Sequence, residues 1–595
     1  MNRNQFNEKF SIWDVLKIFQ NRYDPEGKVK FILIAVGIVL TPITLAGALW
    51  FFIRSFHRHL EPEGVMPTLS PMPIITKISM VIGGASIWFL LFAAYRIFSY
   101  AFPQNDISMG YIILYLIVMS LVSAIMMNRF DIWRNGVFIN MEKSTTHGSA
   151  RFADHEEYQE FYGKDKGIYI GNNFYNFDKQ GHILTCAGPR SGKFVNLIAH
   201  NLLGISQYIG SWFVIDVKGE ISAVTARFQR SLGRKVIVLN PWNLLNPSED
   251  TYNPLDLIDP TNEESLIDDA SIIAQMIVPD KPGDKDPFWS NRARSLITGM
   301  IVHLMLLENE EGKEEVEKTL TTIWKWLRLS ADDFLALGVD MVFSTNEAVN
   351  AVGNEIKAAK DNEKMFGSIL ATAQDATDFL KSPSLQRSLK SSSFDINQLS
   401  NGNITLYVVI PADKLDTQSQ WLRLVTTTSL LAVVRNKNKK VTFVLDEFAA
   451  LGKMPIIETY MGLSSGYNIT LWPIVQSLIQ LRNIYGHGWE SFTANAAVRH
   501  YFGVNDNFTA DYISKSFGIT TFQSQHYNPD KARERTARAL VTPDEVKWMS
   551  AKSIFMQIDQ RNPTYFPKYP YYADSRLVGT YDANPYYSRD EAPKA

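Results

Sequence analysis

The chain has 595 residues, 59 Lys and Arg against 61 Asp and Glu, a formal charge of -2, 46% hydrophobic residues and one cysteine. At about 100–200 residues per domain, that length allows roughly three or four domains and a large buried core. Balanced charge gives no global attraction to nucleic acid, so any such binding has to be local, and the lone Cys186 excludes an intramolecular disulfide framework and a four-cysteine metal site.

The mean hydropathy of -0.10 averages an apolar front end with a polar remainder. From Phe31 to Ile53 no residue is charged, and Lys30 and Arg54 bracket the run. Since about 20 apolar residues cross a bilayer core, this run predicts a transmembrane helix. Two further uncharged stretches follow, one between Lys77 and Arg96 and one from Ile107 to Asn128. The first run begins too late and runs too long for a cleaved signal peptide. Arg3, Lys9, Lys17, Arg22 and Lys28 favour a cytoplasmic N-terminus. Three spans would then put the rest of the chain outside. Either the middle stretch does not span, or the N-terminus is outside, which the Lys/Arg-free link Phe102 to Asp106 suits. Phe10 to Phe19 has helical apolar spacing and can lie along the membrane surface.

Beyond Arg129, short apolar runs alternate with helical patterns. Leu184 to Ala187, Trp212 to Ile215, Val236 to Leu239, Leu406 to Ile410, Phe443 to Leu445 and Leu471 to Val475 read as buried strands of a parallel sheet. Between Asn262 and Gln398 the character changes. Glu263 to Ile277, Arg292 to Leu307, Lys313 to Leu327 and Thr345 to Leu380 read as helices with charged outer faces. The expected organisation is a tail, cytosolic or interfacial (1–30), a transmembrane anchor (31–128), an α/β domain in two parts (145–261 and 399–580), an all-helical insertion (262–398) and a polar tail (581–595).

HILTCAGPRSGKFVNLIAHNLL, from His182 to Leu203, reads as strand, turn and helix. In a phosphate-binding loop the backbone N–H groups of such a turn surround phosphates, the helix N-terminus favours their charge, and the lysine reaches the β- and γ-phosphates. Gly188, Pro189, Arg190, Ser191 and Gly192 form the turn here, with Lys193 the contact. Ala187 stands where the first glycine usually is, and Phe194 where a Ser or Thr usually supplies a magnesium ligand. A plain strand-to-helix turn is the competing reading.

VTFVLDEFAALG, from Val441 to Gly452, is a strand ending in two adjacent carboxylates. Strand carboxyl ends face the crevice where α/β sheets hold ligands. There Asp446 can hold magnesium through water and Glu447 can orient or deprotonate a water nucleophile, although the pair also suits a helix N-cap. Asp216 and Lys218 follow a third strand, and Gln476 a fourth, where its amide can meet a phosphate or the water.

The ordered motifs THGSARFA (from Thr146), AGPRSGK, FVIDVKGE, YNPLDLI (from Tyr252), VLDEFAALGKMP, GYNITLWPIVQSLIQL, YFGVND (from Tyr501) and LVTPDEV (from Leu540) resemble those of type IV secretion coupling proteins, the TraG/VirD family. The resemblance covers roughly Thr146 to Tyr572. It implies an ATPase, using ATP and Mg2+, with a RecA-like P-loop domain carrying an all-helical insertion behind a transmembrane anchor. Lys193 then matches the Walker A lysine, Asp446 and Glu447 the Walker B pair, and Gln476 the sensing glutamine. It also implies a bacterial inner-membrane, multi-pass protein with its ATPase domain in the cytoplasm. The implied assembly is a homo-hexamer that passes relaxase-bound DNA or effector proteins to the channel components. The trans-acting arginine of such a ring is unassigned, with Arg499 a candidate. Another hexameric DNA translocase, or a weakly hydrolysing receptor scaffold, are the alternatives. Among the ten histidines no HExxH occurs, and no GxSxG elbow is present. The basic stretch Lys531 to Arg538 suits a solvated loop, or contact with DNA or an acidic partner.

Overall fold

The computed structural model describes residues 147–163, 166–172, 175–205, 207–279, 287–308, 315–463, 466–523 and 535–587, all in the compact unit Thr145–Ala595. The three apolar runs, the N-terminal tail and the tip of the basic stretch lie outside the described residues. Among the described residues, no helix is long and apolar enough to cross a membrane.

Thirteen strands are described: β1 (Ile168–Gly171), β2 (Tyr175–Phe177), β3 (His182–Cys186), β4 (Ser211–Asp216), β5 (Lys235–Leu239), β6 (Ile404–Val409), β7 (Val441–Leu445), β8 (Ile469–Val475), β9 (Ala496–Tyr501), β10 (Ile519–Gln523), β11 (Arg535–Ala539), β12 (Ser553–Ile558) and β13 (Thr564–Pro567). Nine build one sheet in the order β13-β12-β9-β3-β8-β7-β4-β6-β5. From β9 to β5 every neighbour is parallel, and β12 and β13 extend that edge antiparallel. The sequence explains why. β3, β4, β6, β7 and β8 are buried at every position, as strands covered on both faces require. Alternation then divides the core. Leu184, Phe213, Ile215 and Phe443 join one cluster, whereas Ile183, Trp212, Val214, Val444 and Trp472 join the other.

Between β5 and β6 the described chain holds helices and no strand. They are Glu263–Ile277, Phe288–Leu306, Leu320–Trp326, Ala331–Val342, Glu347–Lys357, Glu363–Ala376 and Pro383–Ser388. Several start on a polar cap: the side chains of Asn262, Thr319, Ser330 and Asn346 accept from first-turn amides. The expected single helix Thr345 to Leu380 is two. The break at Ala358–Asp361 is a 3-10 turn, and Asn362 leaves helical geometry at φ -143°.

Two long motifs serve architecture. HGSAR zips along β10: Ala150 N–H donates to Ile519 O at 3.0 Å, and a Cβ on Gly148 would lie 2.2 Å from that carbonyl oxygen. Any side chain there would push the segments apart. In YNPLDLI, Asn253 caps the turn Pro254–Leu257, and its amide reaches Lys318 O and Asp256 Oδ1, both at 2.9 Å.

Candidate nucleotide site

Parallel pairing aligns the carboxyl ends of three adjacent strands: Cys186 of β3 lies opposite Val475 of β8, and Pro473 of β8 opposite Leu445 of β7. The segments leaving those ends carry Lys193, Gln476, and the pair Asp446 and Glu447. They converge. Lys193 Nζ lies 2.8 Å from Asp446 Oδ1 and 2.5 Å from Glu447 Oε1. The other oxygen of Glu447 accepts from Gln476 Nε2 at 2.9 Å. Gln476 is itself held, because its backbone N–H donates to Gln480 Oε1 at 2.9 Å.

Backbone conformation sets the carboxylates apart. Glu447 sits in the left-handed region at φ 55° and ψ 42°, unusual for a non-glycine residue and costly unless its surroundings hold it. The following segment is a short 3-10 turn, Phe448–Leu451, whose Phe448 is fully buried. No side-chain cap is made by Glu447, so the N-cap reading does not describe it.

Electrostatics tie the cluster together. Burial alone would lower the pKa of Lys193, but the charges of Asp446 and Glu447 outweigh it and raise the ammonium above its ordinary value. Burial pushes Asp446 up, opposed by Lys193. For Glu447, burial also acts upward, yet Lys193 and the Gln476 amide prevail and hold its carboxyl below the usual range.

The turn after β3 is built to receive anions. Gly192 takes φ 86° and Arg190 φ 57°. A Cβ on Gly188 would find only Gly503 O, at 3.6 Å, so that side of the turn is open. Asn196 Nδ2 donates to Gly192 O at 2.7 Å and fixes the turn from one helical turn away. The amides of Gly192, Lys193, Phe194 and Val195 donate to no described backbone carbonyl. Four undirected N–H groups in one turn are what a phosphate group takes up. The turn leads into a π-helical segment, Phe194–Ile198, continued by Ala199–Leu202; such segments gather at functional sites. The Phe194 ring is buried and packs 5.9 Å from Tyr571, turned into the core. It leaves its backbone N–H to the turn and contributes no hydroxyl.

Among the described residues, no three His, Cys, Asp or Glu side chains converge as a metal set. The donors present fit magnesium held by Asp446, through water, together with phosphate oxygens. Pro189 and Arg190 lie in the turn itself, and neither side chain joins the lysine–carboxylate cluster.

Two other polar residues have different work. Asp216 is 1% exposed and accepts from Ile221 N at 3.2 Å, Ser222 N at 2.7 Å and Ser222 Oγ at 2.8 Å. It anchors the start of helix Glu220–Ser231, and burial raises its carboxyl to about 6 despite those donors. Arg499, the candidate for the trans-acting role, is engaged within its own chain. It lies within β9 opposite Leu184, and its guanidinium donates to Thr493 O at 3.3 Å and Asp559 O at 2.5 Å. It is an internal strut. Sequence reasoning also missed Asn196 and Gln480; Asn196 carries a signal, standing four residues after Gly192.

A family model described as "Type IV secretory system Conjugative DNA transfer" matches residues 142–591. The chain belongs to that family. It is 28% identical over 462 residues to "Conjugal transfer protein TraG" of Escherichia coli, covering 67% of this chain and 70% of that protein. It is 25% identical over 476 residues to "Protein VirD4" of Rhizobium rhizogenes, covering 74% and 68%. Among solved structures, the unbound "Bacterial conjugative coupling protein TrwBdeltaN70" matches with a TM-score of 0.55 at 16% identity, covering 71% of this chain and 93% of that one. A structure titled "Plasmid coupling protein TrwB in complex with ADP and Mg2+" matches with a TM-score of 0.54 at 16% identity, over the same shares. These structural likenesses bear on the fold alone, an α/β domain with a large mixed sheet.

Proposed function

We propose that this coupling-family chain is a membrane-anchored ATPase of a type IV secretion system. It recruits relaxase-bound DNA or effector proteins and couples ATP hydrolysis to their delivery to the channel's inner-membrane components. The observation that carries the reading is the convergence of Lys193, Asp446, Glu447 and Gln476 at three adjacent strand ends, beside a turn with four undirected amides.

In this reading the turn from Gly188 to Gly192, with the first amides of the helix, holds the phosphates. Lys193 leaves the carboxylates to meet the β- and γ-phosphates. Asp446 would hold magnesium through its water shell, and the ion would supply charge to offset that of the phosphates. Glu447 orients a water and takes its proton, and Gln476 fixes the Glu447 carboxylate or reaches the γ-phosphate. MgATP, when bound, supplies the phosphoryl group transferred to water. Phe194 would provide a backbone N–H only, with no hydroxyl to offer magnesium.

The apolar runs from Phe31 onward support the bacterial inner membrane as the setting, with the ATPase domain cytoplasmic. A homo-hexameric ring is the proposed assembly, since a RecA-like site is completed by a neighbour. A coupling ATPase predicts phosphate release by the purified full chain, measured with malachite green and stimulated by DNA. Absence of release under both conditions overturns the reading.

A further inference from the structure

The strand β13 ends next to the phosphate-binding turn, and Lys568 follows it directly. Its ammonium donates to Ser191 O at 2.7 Å and to Ala551 O at 2.6 Å, and stands 4.9 Å from the centre of the Phe502 ring. No carboxylate among the described residues pairs with it. Burial pushes its pKa down to about 8, so at neutral pH the charge persists, set against two carbonyls and an aromatic face.

Ser191 O and the Gly192 N–H belong to one peptide group. A trans peptide is planar, and its C=O and N–H point in opposite directions. A cation seated on the carbonyl oxygen therefore does two things at once. It fixes the plane of that peptide, and it draws electron density toward the oxygen, which makes the N–H on the far side a stronger donor. That N–H is one of the four that donate to no described carbonyl.

We propose that Lys568 is a positioning residue of the phosphate-binding turn: held on the Ser191 carbonyl, it orients and polarises the Ser191–Gly192 peptide so that the Gly192 amide binds phosphate more tightly. It touches the turn from behind, where Lys193 meets phosphate from the front. The inference rests on the nucleotide-site reading above.

The test is a titration of the full chain with fluorescent ADP and magnesium, followed by anisotropy, for wild type, K193A, K568M, K568Q and K568R. A charge-assisted contact of this kind corresponds to roughly tenfold in affinity, so K568M and K568Q are expected to bind ADP about tenfold more weakly, with K568R recovering most of the loss. In ATP hydrolysis, the KM of K568Q should rise by a similar factor with kcat little changed, because the contact holds ground state and transition state alike. A merely structural role would move the unfolding midpoint without that split. Should K568M fail to fold, K568Q decides, since its amide still donates to carbonyls without the charge. Wild-type affinity in K568M or K568Q overturns the inference alone. Failure of the wild type itself to bind ADP, with K193A no different, overturns the nucleotide reading and this inference with it.

Discussion

The ammonium of Lys193 rests 2.5 Å from Glu447 Oε1, so the turn after β3 and the strand end of β7 are joined across β8 by opposite charges. This pairing has a consequence for nucleotide entry. In the proposed reading, a phosphate would draw Lys193 away from Asp446 and Glu447, and the released carboxylates would then be available to magnesium and water. In that reading the lysine neutralises the carboxylates in one state and phosphate in the other, which keeps two adjacent part-buried acids from facing each other uncompensated.

Glu447→Gln should retain ATP and fail to hydrolyse it. The amide preserves the shape and a contact to Gln476 but cannot take a proton from water, a role worth ~10²–10⁴-fold in rate. Rapid filtration with labelled ATP, followed by chromatography of the retained nucleotide, checks this. Unchanged turnover would return Glu447 to a structural role.

Arg499→Ala should lower stability and leave the chemistry of each folded subunit intact. Its guanidinium ties Thr493 and Asp559 of its own chain, and removing it leaves two carbonyls unmet, costing about 1–3 kcal/mol. Denaturant unfolding gives the loss. Near-normal hydrolysis per folded subunit is expected, whereas activity restored by mixing with Lys193→Ala subunits would revive the trans role.

Asp216→Ala should destabilise by about 1–3 kcal/mol through the loss of its three bonds to Ile221 and Ser222. Since the hydrogen bonds of Asp216 run to Ile221 and Ser222 and not to the lysine–carboxylate cluster, ATP affinity of the folded variant should change little. A selective loss of binding with unaltered unfolding would place Asp216 in the nucleotide site.

The chemistry legible in the sequence was that carried by local pattern. Strands β3, β4, β6, β7 and β8 announce themselves because both faces are apolar, and the segments leaving the ends of β3, β7 and β8 carry the candidate site residues. By contrast β9 carries Arg499 and His500 within it, and their buried partners are invisible in a linear reading. The antiparallel edge of β12 and β13 is as hard to read, because β12 joins the sheet by pairing Phe555 with Tyr501 of the distant β9, and β13 follows only as the local partner of β12. Helix Ala331–Val342 was passed over although Ser330 and Asp333 form its cap. Lys568 could not be found at all, since it meets Ser191 across 377 residues of sequence.

Assembly gives a further expectation. If a neighbour completes the site, hydrolysis per subunit should rise with protein concentration, in step with ring formation seen by light scattering. Constant specific activity with a monomer throughout would contradict the ring.

The most direct measurement is MgATP binding and phosphate release by the full chain beside Lys193→Ala. The account predicts that wild type binds and hydrolyses ATP, and that the variant, folded with an unfolding midpoint shifted by a few degrees on the order expected from the loss of the ion pairs to Asp446 and Glu447, releases no phosphate above background. Equal hydrolysis by the two proteins would contradict it.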